Sequence, residues 1–102
     1  MTNASGSSGE RGLARMPAGV PTVVFYVTSK CHLCQVGRSK LVALQRTIPF
    51  NVEVVNIEGN DELERRFAIE VPVVEVDGEV VTSGQVDLDV VRAAVNAARI
   101  AS

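Results

Sequence analysis

Apolar residues follow two different rhythms along this chain. In residues 20–28, Val23, Val24, Phe25, Tyr26 and Val27 form a nearly continuous apolar run. Such a run is what a central strand covered on both faces requires. Pro21 sits near its start, where a missing N–H is tolerated. The rhythm then changes: Cys34, Gly37, Leu41, Leu44 and Ile48 recur at intervals of three and four. That spacing predicts a helix from Ser29 or Lys30 to about Arg46, with these residues on its core-facing side. Gly37 lies in the stripe although it costs about 1 kcal/mol of helix propensity against Ala. A close approach of helix to sheet would account for it.

Alternation returns at 50–57, where Phe50, Val52 and Val54 interleave with Asn51 and Glu53, and predicts a second strand. The helix between makes the two strands a parallel pair with a right-handed crossover. Asn60 or Asp61 is placed to cap the next helix, and Asp61, Glu62 and Glu64 suit its positive end. Leu63 and Phe67 face inward there, while Arg65 and Arg66 form its wet face. Pro72 opens a third strand over 73–76. Asp77-Gly78 is a hairpin turn signal, and 79–81 return as a fourth strand. After the short Ser83-Gly84-Gln85 loop, Asp87 caps a last helix to about Ile100, with Leu88, Val91, Val95 and Ala98 inward. The order β-α-β-α-β-β-α predicts an α/β fold: a four-stranded mixed sheet flanked by helices.

Residues 1–19 are rich in Gly, Ser and Ala and have no sustained period. They are expected to be a disordered N-terminal tail, leaving one domain over 20–102. Of the 102 residues, 46% are hydrophobic, enough for one compact core. The net charge of −2 comes without a clustered basic surface, so nucleic acid is not an expected partner. No run of 18 apolar residues occurs, so no membrane span is expected. The N-terminus lacks an apolar signal core, which points to a cytoplasmic location. In that reducing compartment a cysteine pair is usually catalytic.

The chemistry concentrates in Thr28-Ser29-Lys30-Cys31-His32-Leu33-Cys34, which holds both cysteines of the chain. A Cys-x-x-Cys between a strand and a helix is a redox signal. With Cys31 at the helix N-terminus, its sulfur meets unpaired N–H groups and the positive end of the dipole, which favour the nucleophilic thiolate. Bringing a thiol from a pKa of about 8.5 to about 7 needs roughly 2 kcal/mol. A helix end supplies at most about 2 kcal/mol, so a neighbouring cation completes the shift. Lys30 and His32 flank Cys31. His32 either adds positive charge beside the thiolate or points to water, and both readings stay open. Two Cys and one His are too few to close a zinc site in a single chain. Gln35 follows Cys34 where haem attachment needs His. So short a loop makes a purely structural disulfide energetically weak, though a buried, inert pair remains an alternative.

With Cys31-His32-Leu33-Cys34 opening the first helix and Val71-Pro72 opening the third strand, the order resembles the thioredoxin fold in its small glutaredoxin form. The likeness covers about residues 20–100, and Asp77-Gly78 and the Gly84 to Asp87 segment support it. The resemblance is to a glutaredoxin-like protein, and it implies dithiol–disulfide exchange, with Cys31 as attacking thiolate and Cys34 as resolving thiol. It implies a cis Val71–Pro72 bond beside the sulfurs, where the Val71 backbone pairs with an extended peptide or glutathione. Lys30, His32, Val71, Pro72, Gly84 and Asp87 are then the candidate substrate-binding residues. The partners implied are a disulfide-containing protein or low-molecular-weight thiol, with glutathione or a flavoprotein reductase as electron donor. No bound cofactor and no metal are expected; glutathione enters as a co-substrate. Two other readings stay open: a non-catalytic thioredoxin-fold adaptor, and a dimeric iron–sulfur cluster carrier.

Overall fold

A computed structural model describes residues 20–101. The expected disordered tail, 1–19, lies outside the described residues. Seven elements follow in order: β1 (Thr22–Val27), α1 (His32–Gln45), β2 (Asn51–Asn56), α2 (Asp61–Phe67), β3 (Val73–Val76), β4 (Glu79–Ser83) and α3 (Leu88–Ala101). The sheet runs β2-β1-β3-β4. β1 pairs parallel with β2 and antiparallel with β3, and β3 pairs antiparallel with β4. This is the four-stranded mixed sheet that the apolar pattern predicts.

Register decides which side chains meet. Val23 and Phe25 of β1 sit opposite Val52 and Val54 on one side and opposite Val76 and Val74 on the other. Paired residues share a face, so this set forms one apolar surface. Leu41 and Leu44 of α1 and Val91 and Val95 of α3 pack on it to make the main core. On the opposite face Tyr26, Val71 and Leu63 pack around Ile57, Phe67 and Val73. The second face is covered less fully than expected, and Val24 stays half-buried. The reason is length: α2 has seven residues, about 10 Å of helix, and lies over only one end of the sheet.

Gly37 is buried on α1 where the helix crosses the sheet. A Cβ there would lie 2.5 Å from Val86 Cγ2 and 3.1 Å from Phe25 Cζ, so the close approach is real. At the Asp77-Gly78 hairpin both residues have positive φ, 48° and 87°. That pairing matches the twist of the flanking strands.

Several boundaries differ from the sequence reading: β1 is Thr22–Val27 rather than 20–28. α1 begins at His32 because Cys31 itself caps it. β2 spans Asn51–Asn56; Phe50 and Ile57 flank it and are buried in separate clusters. Val54, one of the alternating apolar residues, is 40% exposed because β2 is a sheet edge. β4 runs to Ser83 rather than 81. A bulge pairs Val74 with Thr82 and Glu75 with Val80, leaving Val81 as the extra residue. The bulge breaks the period-2 pattern, which hides the end of the strand from the sequence.

Candidate redox site

The pairings Val27 with Asn56, Tyr26 with Val73, and Val73 with Ser83 bring four segments to one end of the sheet. They are the turn after β1 that leads to Cys31, the loop after β2, the approach to β3 through Glu70, Val71 and Pro72, and the loop after β4 with Gly84. The site is built from these.

Cys31 is the N-cap of α1, with extended backbone, and its Sγ accepts the Cys34 N–H at 3.1 Å. One of the free N–H groups of the helix start is thus satisfied by sulfur. The first turn of α1 carries no acidic residue to oppose negative charge on that atom. Cys31 and Cys34 are joined as a disulfide with Cα atoms 5.1 Å apart. The two sulfurs are not equivalent. Cys34 is 4% exposed and belongs to the buried stripe of α1, whereas Cys31 is half-buried. Lys30 and His32 on either side of Cys31 are exposed, as is Leu33 within the motif.

The Val71–Pro72 bond is cis, as the resemblance implies, and Pro72 is fully buried. The Val71 N–H donates to Phe67 O at 3.0 Å, so it is already engaged at the end of α2. Gly84 joins this segment directly. Its N–H donates to Glu70 O at 2.6 Å and to Pro72 O at 3.0 Å. Gly84 has φ +81°, a conformation open to glycine at little cost. Asp87 acts as a cap: its Oδ1 accepts the Asp89 N–H at 3.0 Å and the Val90 N–H at 3.3 Å, fixing the start of α3. The structure therefore joins Cys31 to Cys34 and Gly84 to Pro72, with Lys30 and His32 beside Cys31 and Asp87 at the head of α3. Among the described residues, no group of three or more His, Cys, Asp or Glu side chains is arranged to hold a metal ion.

Two polar clusters escaped the sequence reading. The first lies in the turn before Cys31. The Ser29 hydroxyl donates to Glu58 Oε1 and accepts from Asn56 Nδ2 at 3.3 Å, and Asn56 Oδ1 takes the Glu58 N–H at 2.8 Å. The Ser29 hydroxyl and then its N–H hold the Glu58 carboxyl below its ordinary range; Asn56 and the charge of Lys30 add smaller pulls. The second lies on the α2 side of the sheet, where Tyr26 Oη donates to Glu75 Oε1 at 2.8 Å. Burial, and then that bond, push the Tyr26 hydroxyl up to about 12. Its ring lies 4.6 Å from that of Phe67, over which the Arg66 guanidinium sits at 4.6 Å. Arg66 thus covers an aromatic face as well as meeting water. The only sequence sign of the first cluster is Asn56-x-Glu58, a spacing suited to a local side-chain turn. It says nothing of Ser29.

A four-stranded mixed sheet with Cys-x-x-Cys capping its first helix and a cis proline opening its third strand defines a thioredoxin-fold protein. Comparison narrows this further. The chain matches the Glutaredoxin-like domain family over residues 22–96 and belongs to it. Among solved structures it is similar to protein Ne2328 from Nitrosomonas europaea, with 32% identity and a TM-score of 0.68. The match covers 74% of this chain and 92% of that one. It is also similar to Fasciola hepatica thioredoxin, at 21% identity and a TM-score of 0.57, covering 78% of this chain and 81% of that one. Thioredoxin f2 of Chlamydomonas reinhardtii matches at 25% identity and a TM-score of 0.56, covering 76% and 78%. No curated protein sequence matches. Among the described residues no helix is long and apolar enough to cross a membrane.

Proposed function

We propose that this chain is a glutaredoxin-like thiol–disulfide oxidoreductase that reduces disulfides through Cys31 and Cys34. The observation that carries the reading is the inequality of the two sulfurs: Cys31 caps α1 from a half-buried position, while Cys34 is 4% exposed. Attack from outside is open to the first and closed to the second.

In the reduced protein, the Cys31 thiolate attacks one sulfur of a client disulfide. A Cys31–client bond forms, the client S–S bond breaks, and the departing thiolate takes a proton from water. Cys34 then loses its proton and attacks the Cys31 sulfur. The Cys31–Cys34 bond forms, and the second client thiolate leaves and is protonated. Two electrons have passed to the client, and the pair is oxidised. Two glutathione thiols, or the dithiol of a flavoprotein reductase, return it to the reduced form and become a disulfide themselves. No bound cofactor enters the cycle, and a reducing cytoplasm is the compartment that sustains it.

The client is a disulfide-containing protein or a low-molecular-weight thiol in its disulfide form. It lies along Val71 and Pro72, with the Val71 carbonyl as its backbone partner, because the Val71 N–H is spent on Phe67. Lys30 supplies positive charge on the helix side, and His32 lies exposed beside Cys31. Gly84 holds the Pro72 segment, and Asp87 holds the start of α3. The test is trapping. Cys34→Ser is expected to accumulate a mixed disulfide on Cys31, and Cys31→Ser is not. Equal trapping by both variants, or by neither, refutes the assignment.

A further inference from the structure

The segment that delivers Cys31 and the segment that carries Val71 are fastened to opposite ends of α2. At the start of that helix, Asn60 Oδ1 accepts the Leu63 N–H at 3.0 Å, and the Asn60 N–H donates to Ile57 O at 3.1 Å. The β2–α2 loop is thereby fixed to α2. The same loop grips the turn before Cys31. The Ser29 hydroxyl donates to Glu58 Oε1 and accepts from Asn56 Nδ2 at 3.3 Å, and the Ile57 N–H between them donates to Val27 O at 3.0 Å. At the far end of α2, Phe67 O accepts the Glu70 N–H at 2.8 Å and the Val71 N–H at 3.0 Å. Ile57 and Phe67 are buried with Val73, and Val71 packs against that cluster. The helix is thus a seven-residue strut, about 10 Å long, between the Cys31 turn and the Val71–Pro72 segment. Ser29, Asn56 and Glu58 are all exposed. Water would satisfy them equally well, so burial does not demand the bonds they make to one another.

We propose that Ser29 and Glu58 are positioning residues for polypeptide clients: their hydrogen bond, carried through α2, sets the Cys31 turn against the Val71–Pro72 segment. This rests on the exchange reading, in which a client lies along Val71 and Pro72 while its disulfide meets Cys31. Such a client is held at two places. Its backbone is fixed by Val71, and the Cys31 sulfur must reach the client sulfur in line with the S–S bond from that position. A misplacement of about 1 Å can cost up to about a hundredfold in rate. A small disulfide that touches only Cys31 follows the sulfur wherever the turn carries it, because it has no second attachment. The Ser29–Glu58 bond therefore speeds exchange with peptide disulfides and leaves exchange with small ones as it is.

The experiment mixes the reduced full-length protein with two disulfides in turn and counts the oxidised Cys31–Cys34 pair by mass after acid quenching. One is the disulfide-linked dimer of a short alanine peptide with a central cysteine, which offers a backbone to Val71. The other is hydroxyethyl disulfide, which offers none. Ser29→Ala and Glu58→Ala are each expected to slow oxidation by the peptide about three- to tenfold, the scale of one hydrogen bond. Both are expected to leave the rate with hydroxyethyl disulfide, and its pH midpoint, unchanged. Glu58→Gln keeps an acceptor for Ser29 and removes the charge, and is expected to retain the wild-type rate with both disulfides. Circular dichroism monitors the fold of each variant, and two separate exposed positions test the same bond. An unchanged peptide rate in folded Ser29→Ala and Glu58→Ala overturns the proposal. So does an equal loss with both disulfides, which would place the effect on the Cys31 thiolate itself, and so does a loss in Glu58→Gln as large as in Glu58→Ala. Failure of the exchange reading looks different: the wild-type protein is then oxidised by neither disulfide.

Discussion

Replacing Gly37 by Ala sets two opposed effects on one atom. On an exposed helix the change stabilises by about 1 kcal/mol, because glycine gives up more backbone freedom on folding. At Gly37 the new Cβ meets Val86 Cγ2 at 2.5 Å and Phe25 at 3.1 Å and 3.4 Å. Ordinary contact begins near 3.4 Å, so Val86 must yield by almost 1 Å. It has little room to do so. Val86 is 3% exposed, Phe25 is fully buried, and a β-branched side chain is stiff at χ1. Val86 also directly precedes the Asp87 cap, and Lys40 Nζ holds its carbonyl at 3.3 Å, so a shift there is passed to the start of α3. Inserting a methyl into a filled core costs about 1–3 kcal/mol. Crowding outweighs the gain in helix propensity, and Gly37→Ala is expected to lose about 1 kcal/mol net, or about 4–8 °C in Tm for a domain of this size. The assay is urea unfolding followed by circular dichroism, with Ser39→Ala, an exposed position on α1, as the propensity control. A lower midpoint with unchanged slope is the expected result. If Gly37→Ala stabilises as the control does, α1 does not approach the sheet as closely as the structure shows, and crowding by Val86 is refuted.

Tyr26 is the single tyrosine, and the chain has no tryptophan, so tyrosinate absorbance reads this residue alone. Its midpoint is expected near 12 in the folded protein and near 10 in urea. Because the folded form holds the proton more tightly, the stability tied to this group is complete below pH 10 and is lost as pH rises through 12. Tyr26→Phe should abolish that dependence; a midpoint near 10 in the native protein would show that the Glu75 bond and burial have no effect. Thr82 is 9% exposed, and among the described residues its hydroxyl has no hydrogen-bond partner. Thr82→Val keeps the shape and removes the orphan oxygen, so it should raise stability by about 1 kcal/mol. A loss measured by thermal unfolding would show that the hydroxyl is bonded in solution.

Much of this protein was determined locally by its sequence. The apolar run of β1, the stripe Cys34, Gly37, Leu41 and Leu44, the Asp77-Gly78 turn and the caps at Asn60 and Asp87 each act within a few residues. Their physical signals are therefore written in spacing. The Cys31-x-x-Cys34 pair belongs with these, since one helical turn fixes its reach. Tertiary structure decided the rest. The Ser29–Glu58 bond depends on a loop 29 residues away, and the Tyr26–Glu75 bond joins positions 49 apart. The bulge that carries β4 to Ser83 is set by pairing with β3, and the crowding at Gly37 by Val86. Hydrogen bonds and packing between distant segments leave no periodic trace along a chain. They come into being only when the sheet register brings the partners together.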